Sequence, residues 1–179
     1  MDKKEKTLKE NLIYDGKIIK LYNDDVICPN GLKATREYLK HPGGACVLPI
    51  FNDEVLLISQ YRYAYHKDIL EVPAGKLEPN EDPMTAAIRE LEEETGYKAK
   101  SLIPLGEIYP TVGYTDEVIY LFASENLAVG HTHLDKDEFI DLKRVKLSDA
   151  YDMALKGTIK DAKTVAVILR YVLSKKINK

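Results

Sequence analysis

The sequence predicts a mixed α/β fold with a small antiparallel β-sheet at its N-terminal end. Three observations carry this. Short β-branched stretches alternate with turn dipeptides between Leu12 and Lys40; apolar strand-like runs lie on both sides of one well-delimited helix; and two further helical stretches close the chain. The 179 residues suit one domain, or one domain with a small appendage.

The elements follow in order. The first nine residues are rich in Lys and Glu and are expected to fray. Asp15-Gly16 and Asn30-Gly31 are turn signals beside the alternating stretches Lys17–Tyr22 and Lys33–Leu39. His41-Pro42-Gly43-Gly44 breaks the pattern, so a boundary is placed there: a β appendage over residues 1–40 and a larger domain over 41–179. Ala45–Phe51 and Glu54–Tyr61 read as strands joined at Asn52-Asp53, and Ile69–Val72 as a shorter one. The best helix is Pro83–Thr95, with Asp82 as N-cap, Pro83 at the first helical position and Gly96 past the end. Strands return near Leu105–Tyr109, Val118–Ser124 and Phe139–Val145. Two helices close the chain: Asp149–Lys156, capped by Ser148 and stopped by Gly157, and Ala162–Ser174, with Val165, Leu169, Val172 and Leu173 as its core stripe.

Composition narrows the function classes. Apolar residues are 45% and charged residues 31%, enough for a real core. The 26 Lys+Arg against 29 Asp+Glu leave a net charge of −3, with no global pull toward nucleic acid or an anionic membrane. The longest apolar runs, Ala45–Phe51 and Val165–Leu169, are far too short to span a bilayer. Met1–Lys6 has no apolar segment behind its charges and does not read as a secretory signal. Cys28 and Cys46 make neither a disulfide framework nor a zinc pattern. A reduced, soluble, cytoplasmic protein is the expectation.

The helix Pro83–Thr95 carries the strongest chemical signal. At about 100° per residue, Met84, Ala87, Ile88 and Leu91 share one side and are expected to face the core. Glu90, Glu93 and Glu94 group on a neighbouring side, and Glu92 falls roughly opposite as a spectator. Like charges three and four residues apart repel by roughly 0.2–0.5 kcal/mol per pair. The helix C-terminus further disfavours anions. A divalent cation would remove both penalties, and all-oxygen ligands favour Mg²⁺ or Mn²⁺. Arg89, four residues before Glu93, is placed to orient it by a bidentate contact.

Gly75, Glu81, Arg89, Glu90, Leu91, Glu93, Glu94 and Gly96 stand in the register Gly-x5-Glu-x7-Arg-Glu-U-x-Glu-Glu-x-Gly-U, where U is bulky and aliphatic. This resembles the box of the Nudix hydrolases; its last position departs, being Tyr97. The resemblance implies an α/β/α sandwich and cleavage of a nucleoside diphosphate linked to another moiety. It implies Glu90 and Glu94 as principal metal ligands, Glu93 as a further ligand or water partner, and the Ala74 carbonyl completing the site. Gly75, Glu81, Arg89 and Gly96 would shape the box. The chemistry agrees: pyrophosphate hydrolysis needs water in line with phosphorus and positive charge against its oxygens.

Three segments outside the box resemble the ADP-ribose pyrophosphatase branch: Thr35-Arg36-Glu37-Tyr38 with His41-Pro42-Gly43; Gln60-Tyr61-Arg62-Tyr63 with Leu70-Glu71-Val72-Pro73-Ala74-Gly75; and Tyr109 to Glu117. Val112 stands where that branch usually has Pro. The likeness implies Mg²⁺-dependent conversion of ADP-ribose to AMP and ribose 5-phosphate by a homodimer with an exchanged N-terminal sheet. Arg36 and Glu37 would recognise adenine or ribose, or else be edge-strand charges. Arg62 would clamp a phosphate, or snorkel from a strand end. Gly113 would admit close approach of ligand or merely turn the chain. Glu117 would bind the terminal ribose, and Glu71 would support the site. The general base would come from the loop His131–Glu138, with Glu138 first and Asp137 or Asp135 as alternatives. The rivals are another nucleotide sugar or modified nucleotide as substrate, and a non-catalytic sensing module.

Overall fold

The computed structural model describes residues 2–177, which form two units. The first unit takes, of the described residues, 2–43 and, from later in the chain, 111–117. Strands β1 (Lys6–Lys9), β2 (Leu12–Asp15), β3 (Lys20–Ile27) and β4 (Lys33–Lys40) make one antiparallel sheet centred on β3. β4 runs along one edge of β3 from Lys20↔Lys40 to Ile27↔Lys33. β1 and β2 share the other edge, opposite Asp25–Ile27 and Lys20–Tyr22. Asn11 fills the break between them. Its N–H donates to Asp24 Oδ1 at 2.9 Å, and its amide to Asn23 O at 3.0 Å and Asp25 Oδ2 at 3.1 Å. Asp24 is buried and also accepts from Tyr38 Oη at 3.0 Å, which is how a buried carboxylate is tolerated.

Two expectations are corrected in this unit. The first nine residues do not all fray: Lys6–Lys9 form β1, because the open edge of β3 offers backbone groups that a strand can satisfy, and Glu5 pairs with Arg36. The appendage also extends past residue 40. Leu39 N donates to Tyr114 O at 2.8 Å, Asp116 N donates to Leu39 O at 3.2 Å, and Asp116 Oδ1 accepts from His41 N at 2.9 Å. These bonds bring 111–117 into the unit.

The second unit takes, of the described residues, 44–110 and 118–177. Its elements are β5 (Gly44–Phe51), β6 (Glu54–Arg62), a 3-10 turn at Tyr63–Tyr65, β7 (Lys67–Glu71), β8 (Ala74–Lys76), α1 (Pro83–Thr95), β9 (Tyr97–Ala99), β10 (Ile103–Ile108), β11 (Ile119–Ser124), β12 (Leu127–Val129), β13 (Ile140–Lys146), α2 (Leu147–Leu155) and α3 (Ala162–Ile177). The main sheet runs β10-β11-β5-β6-β13, with β7 against β6 and β8 against β5. β11 and β5 pair in parallel; β9 and β12 form a separate ribbon.

β5 is buried on both faces, which is why it reads as a continuous apolar run. Its alternation divides the core. Cys46, Leu48 and Ile50 pack with Leu57, Leu121 and, from α3, Val167, Ile168 and Tyr171. Ala45 and Val47 pack on the other face with Ala86, Ala87 and Leu91 of α1 and with Phe122. Helices thus cover both faces of the sheet, as the sandwich expectation requires.

α1 spans the predicted residues. Asp82 Oδ2 accepts from Met84 N at 3.0 Å and Thr85 N at 3.2 Å, and Gly96 ends the helix at φ 71°. Met84 is a correction: it is 44% exposed, because the packed stripe runs through Ala86, Ala87, Leu91 and Glu94–Thr95 and leaves the first turn at its margin. Ser148 does not cap α2. β13 runs straight into the helix, Leu147 N donates to Asp53 O at 2.7 Å, and Ser148 Oγ donates to Asp149 instead. Among the described residues no helix is long and apolar enough to cross a membrane.

Candidate functional site

The carboxylates of α1 meet the backbone of β8. Ala74 N donates to Glu94 Oε2 at 2.9 Å. A Cβ placed on Gly75 would overlap the Glu90 carboxylate, so a larger residue there would push this carboxylate out of its present position. Gly96 has two reasons to be glycine: its positive φ, and Thr132 Oγ1 at 2.8 Å from where a Cβ would stand.

Arg89 organises the cluster. Its Nε and Nη2 form a bidentate pair with Glu81, at 2.9 and 2.8 Å. Its Nη1 donates to Glu90 Oε1 at 2.7 Å and Glu93 Oε2 at 3.0 Å, and Nη2 also reaches Lys76 O at 3.1 Å. The bidentate partner is therefore Glu81, and Glu93 receives a single bond. The loop before α1 folds Glu81 back, its carboxylate accepting from Glu78 N, and so presents both oxygens to the guanidinium. Glu92 is turned away, paired with Lys98 at 3.1 Å.

The electrostatics are uneven. Burial pushes the Glu94 carboxyl up to about 8 against the Ala74 N–H, and the charges of Glu90 and Glu138 add to the rise. Burial also raises Glu90, outweighing Arg89, with Glu93 and Glu138 adding. Glu81 is held below the usual carboxylate range by its hydrogen bonds from Arg89.

The loop after β12 starts pinned to the end of α1: Gly130 N donates to Gly96 O at 2.8 Å and His133 N to Glu93 O at 2.9 Å. Its acidic end is a turn in which Glu138 N donates to Asp135 O at 3.0 Å. Asp135 and Asp137 are exposed and Glu138 is half-buried. Glu138 is near enough for its charge to be felt at Glu90 and Glu94. An open groove beside Glu93 is lined by Thr85, Ile88, Arg89, Lys98 and His133.

Arg62 ends β6 and is already engaged. Its Nε and Nη2 donate to Glu71 at 2.6 and 2.8 Å. Glu71 is buried and also accepts from Lys163 Nζ, which bridges to Asp161 at 3.1 Å. Thr164 Oγ1 accepts from Val72 N at 2.8 Å and donates to Asp161 Oδ2 at 2.6 Å. Sequence reasoning missed Asp161, Lys163 and Thr164. The available signal was a lysine four residues before Val167, on the core face of a helix, with an Asp N-cap just ahead.

Arg36, Glu37, Gly113 and Glu117 belong to the first unit. Arg36 is paired with Glu5. Glu37 is exposed on β4, opposite Asn23. A Cβ on Gly113 would meet nothing within 4 Å, so crowding does not impose this glycine in the chain itself. Glu117 Oε1 lies 3.5 Å from His41 Nδ1.

The resemblance implies a divalent cation, and these residues fit one. The donors the resemblance implies would all be hard oxygens: Glu90, Glu93, Glu94 and the Ala74 carbonyl. The Gly75 backbone leaves room for the Glu90 carboxylate, and Glu90 and Glu94 are both raised, by burial first and by neighbouring carboxylates second, a cost of carrying charge that a bound cation would offset. Among the described residues no three acidic, His or Cys side chains form a finished cage. Glu90 and Glu93 are turned onto Arg89 and Glu94 onto Ala74 N–H, so the cation would compete with these partners.

Comparison with known proteins agrees. The NUDIX domain model matches residues 40–168. The chain is 41% identical over 167 residues to an ADP-ribose pyrophosphatase of Bacillus subtilis (strain 168), covering 92% of this chain and 90% of that one. It is equally similar, with the same coverage, to a methanol dehydrogenase activator of Bacillus methanolicus. It is 34% identical over 163 residues to a GDP-mannose pyrophosphatase of Yersinia enterocolitica, covering 84% of each. The crystal structure of an ADP compounds hydrolase superposes with a TM-score of 0.87 at 20% identity, over 98% of this chain and 96% of the other, a likeness of fold. With the family model matching most of the chain and Glu81, Glu90 and Glu93 of the box gathered around Arg89, the chain belongs to the Nudix hydrolase family.

Proposed function

We propose that the chain hydrolyses the pyrophosphate of ADP-ribose to AMP and ribose 5-phosphate, with Mg²⁺ as the working metal and Mn²⁺ as a substitute. The observation that carries this is a complete carboxylate face in a chain resembling the Bacillus subtilis pyrophosphatase along nearly its whole length. A divalent cation held by Glu90, Glu93, Glu94 and the Ala74 carbonyl would supply positive charge against the phosphate oxygens and acidify water. Arg89 keeps Glu90 and Glu93 side by side, and Ala74 N–H orients Glu94. Arg62 offers a guanidinium edge to the pyrophosphate. Glu138 accepts the proton as water oxygen bonds to phosphorus and the bridging P–O bond breaks. The acidic end is closed by Glu138 N donating to Asp135 O at 3.0 Å and Asp135 N donating to Glu138 Oε2 at 3.3 Å, turn bonds that an inward swing of Glu138 would break. Recognition of the nucleoside and ribose is assigned to Arg36, Glu37, Gly113 and Glu117. The Arg36–Glu5 pair is exposed and easily displaced by ligand.

Incubation with ADP-ribose and Mg²⁺ tests this by chromatography. Equal amounts of AMP and ribose 5-phosphate support it; ADP with free ribose, or no product, refutes it. Full rate in Glu138→Gln moves the base to Asp135 or Asp137. A second reading, another nucleoside diphosphate sugar, is favoured by the likeness to the GDP-mannose enzyme and by Val112 in the third segment. We also assign a homodimer and a cytoplasmic location. The first unit exposes Leu8, Leu12, Ile13, Tyr14 and Ile18, an apolar surface that self-association would cover. A monomeric mass by light scattering at micromolar concentration contradicts the dimer.

A further inference from the structure

We propose that Lys163 is a positioning residue for this hydrolysis: through Glu71 it fixes the plane of the Arg62 guanidinium, and with Asp161 and Thr164 it clamps the strand segment that leads to Ala74. The inference deepens the proposed function and rests on Arg62 contacting the pyrophosphate.

The geometry is a chain of contacts. Lys163 Nζ sits between Glu71 Oε2 and Asp161 Oδ2 and is 12% exposed. Glu71 Oε2 is shared by Lys163 and Arg62 Nη2, while Glu71 Oε1 accepts from Arg62 Nε. A bidentate Arg–carboxylate pair is coplanar, so whatever fixes the carboxylate fixes the guanidinium. Among the described residues Arg62 Nη1 makes no hydrogen bond, which leaves one edge free to donate. Arg62 and Lys163 are both near enough to Glu94 for their charges to be felt there. The same helix turn holds the backbone: Asp161 Oδ2 accepts from Thr164 N at 3.0 Å and from Thr164 Oγ1, which in turn accepts from Val72 N. Two residues on, Ala74 N–H holds Glu94.

Stability alone is a poor account of such a cluster. Arg62 and Lys163 balance Glu71 and Asp161, and a partly buried balanced set contributes little net stability compared with apolar packing. It does hold orientation. Glu71 lies at a strand end next to the carboxylate face, and burial would raise its carboxyl were it not outweighed by Arg62 and Lys163. The charged form of Glu71 is thus kept by Arg62 and Lys163 together.

The test is a double-mutant cycle on kcat/KM with Lys163→Met, Arg62→Ala and the pair. Positioning through Arg62 predicts that Lys163→Met lowers kcat/KM by about 30-fold alone but by less than about threefold in the Arg62→Ala background. Lys163→Arg, which keeps the cation, restores most of the loss. An equal factor in both backgrounds, or no loss in Lys163→Met alone, overturns the proposal. If Lys163→Met loses its cooperative melt, Lys163→Met/Asp161→Asn removes one charge of each sign and is judged by the same factors. If the protein cleaves another nucleoside diphosphate compound instead of ADP-ribose, the substrate assignment fails while the cycle, run on that compound, still judges Lys163. Wild-type kcat/KM in Arg62→Ala overturns both the phosphate contact and the role of Lys163.

Discussion

Replacing Glu94 by Gln in the metal-free protein reports directly on the electrostatics of the carboxylate face. The Glu94 carboxyl is buried and pushed from 4.5 to about 8, while in the unfolded chain it ionises near its ordinary value. Between those values the folded protein holds a proton that the unfolded chain has released, so stability falls as pH rises. At about 1.4 kcal/mol per pH unit, the interval gives an upper bound of about 5 kcal/mol, lost between pH 4.5 and about 8. Gln keeps the shape, and its carbonyl oxygen still accepts from Ala74 N–H, so the variant removes the titration and little else. Glu90 is raised too and retains its own share of the slope. Urea denaturation in EDTA from pH 5 to 9 is the assay. The wild type should lose at least about 1.5 kcal/mol more than Glu94→Gln across that range. Added Mg²⁺ should flatten the wild-type curve, and the variant should lose turnover by orders of magnitude even with metal. Identical slopes in the two proteins would refute the assignment of a buried, charge-crowded carboxyl at this position.

Three other outcomes follow from the geometry. Gly75→Ala places a methyl on the Glu90 carboxylate, and should lower kcat by about 100-fold while cooperative unfolding persists, checked by kinetics and circular dichroism. Arg89→Lys loses the bidentate pair with Glu81 and the bridge to Glu90 and Glu93, costing about 1–3 kcal/mol in a denaturant titration and most of the activity. Asp82→Ala removes the cap of α1, and should cost about 1 kcal/mol and shift Tm by about 2–4 °C, with kcat within about twofold of wild type.

The sequence was legible where local rules act. Asp82, Pro83 and Gly96 mark the ends of α1 because capping chemistry depends on adjacent residues. The carboxylate grouping follows from helical spacing alone. What was hidden depends on distant partners. β1 exists because β3 has an edge to offer, and segment 111–117 belongs with β4 through backbone bonds that carry no side-chain signature. The short strands β8, β9 and β12 pair over three residues each, too few for periodicity to appear. Met84 misled because a wheel gives the direction of a face but not where along the helix packing begins. In the site, spacing pointed Arg89 at Glu93, whereas the loop before α1 delivers Glu81 to it. The cluster of Glu71 and Lys163, 92 residues apart, has no local pattern at all.

The most direct test of the central claim is kcat/KM with Mg²⁺ for a panel of ADP-ribose, GDP-mannose, ADP-glucose, NADH, a diadenosine polyphosphate and 8-oxo-dGTP, with products identified by chromatography. ADP-ribose should give AMP and ribose 5-phosphate, at a kcat/KM at least about tenfold above every other compound, with no turnover in EDTA. A different preferred compound would contradict the substrate assignment and return Arg36, Glu37, Gly113 and Glu117 to question. Full turnover in EDTA would contradict the role given to Glu90, Glu93 and Glu94.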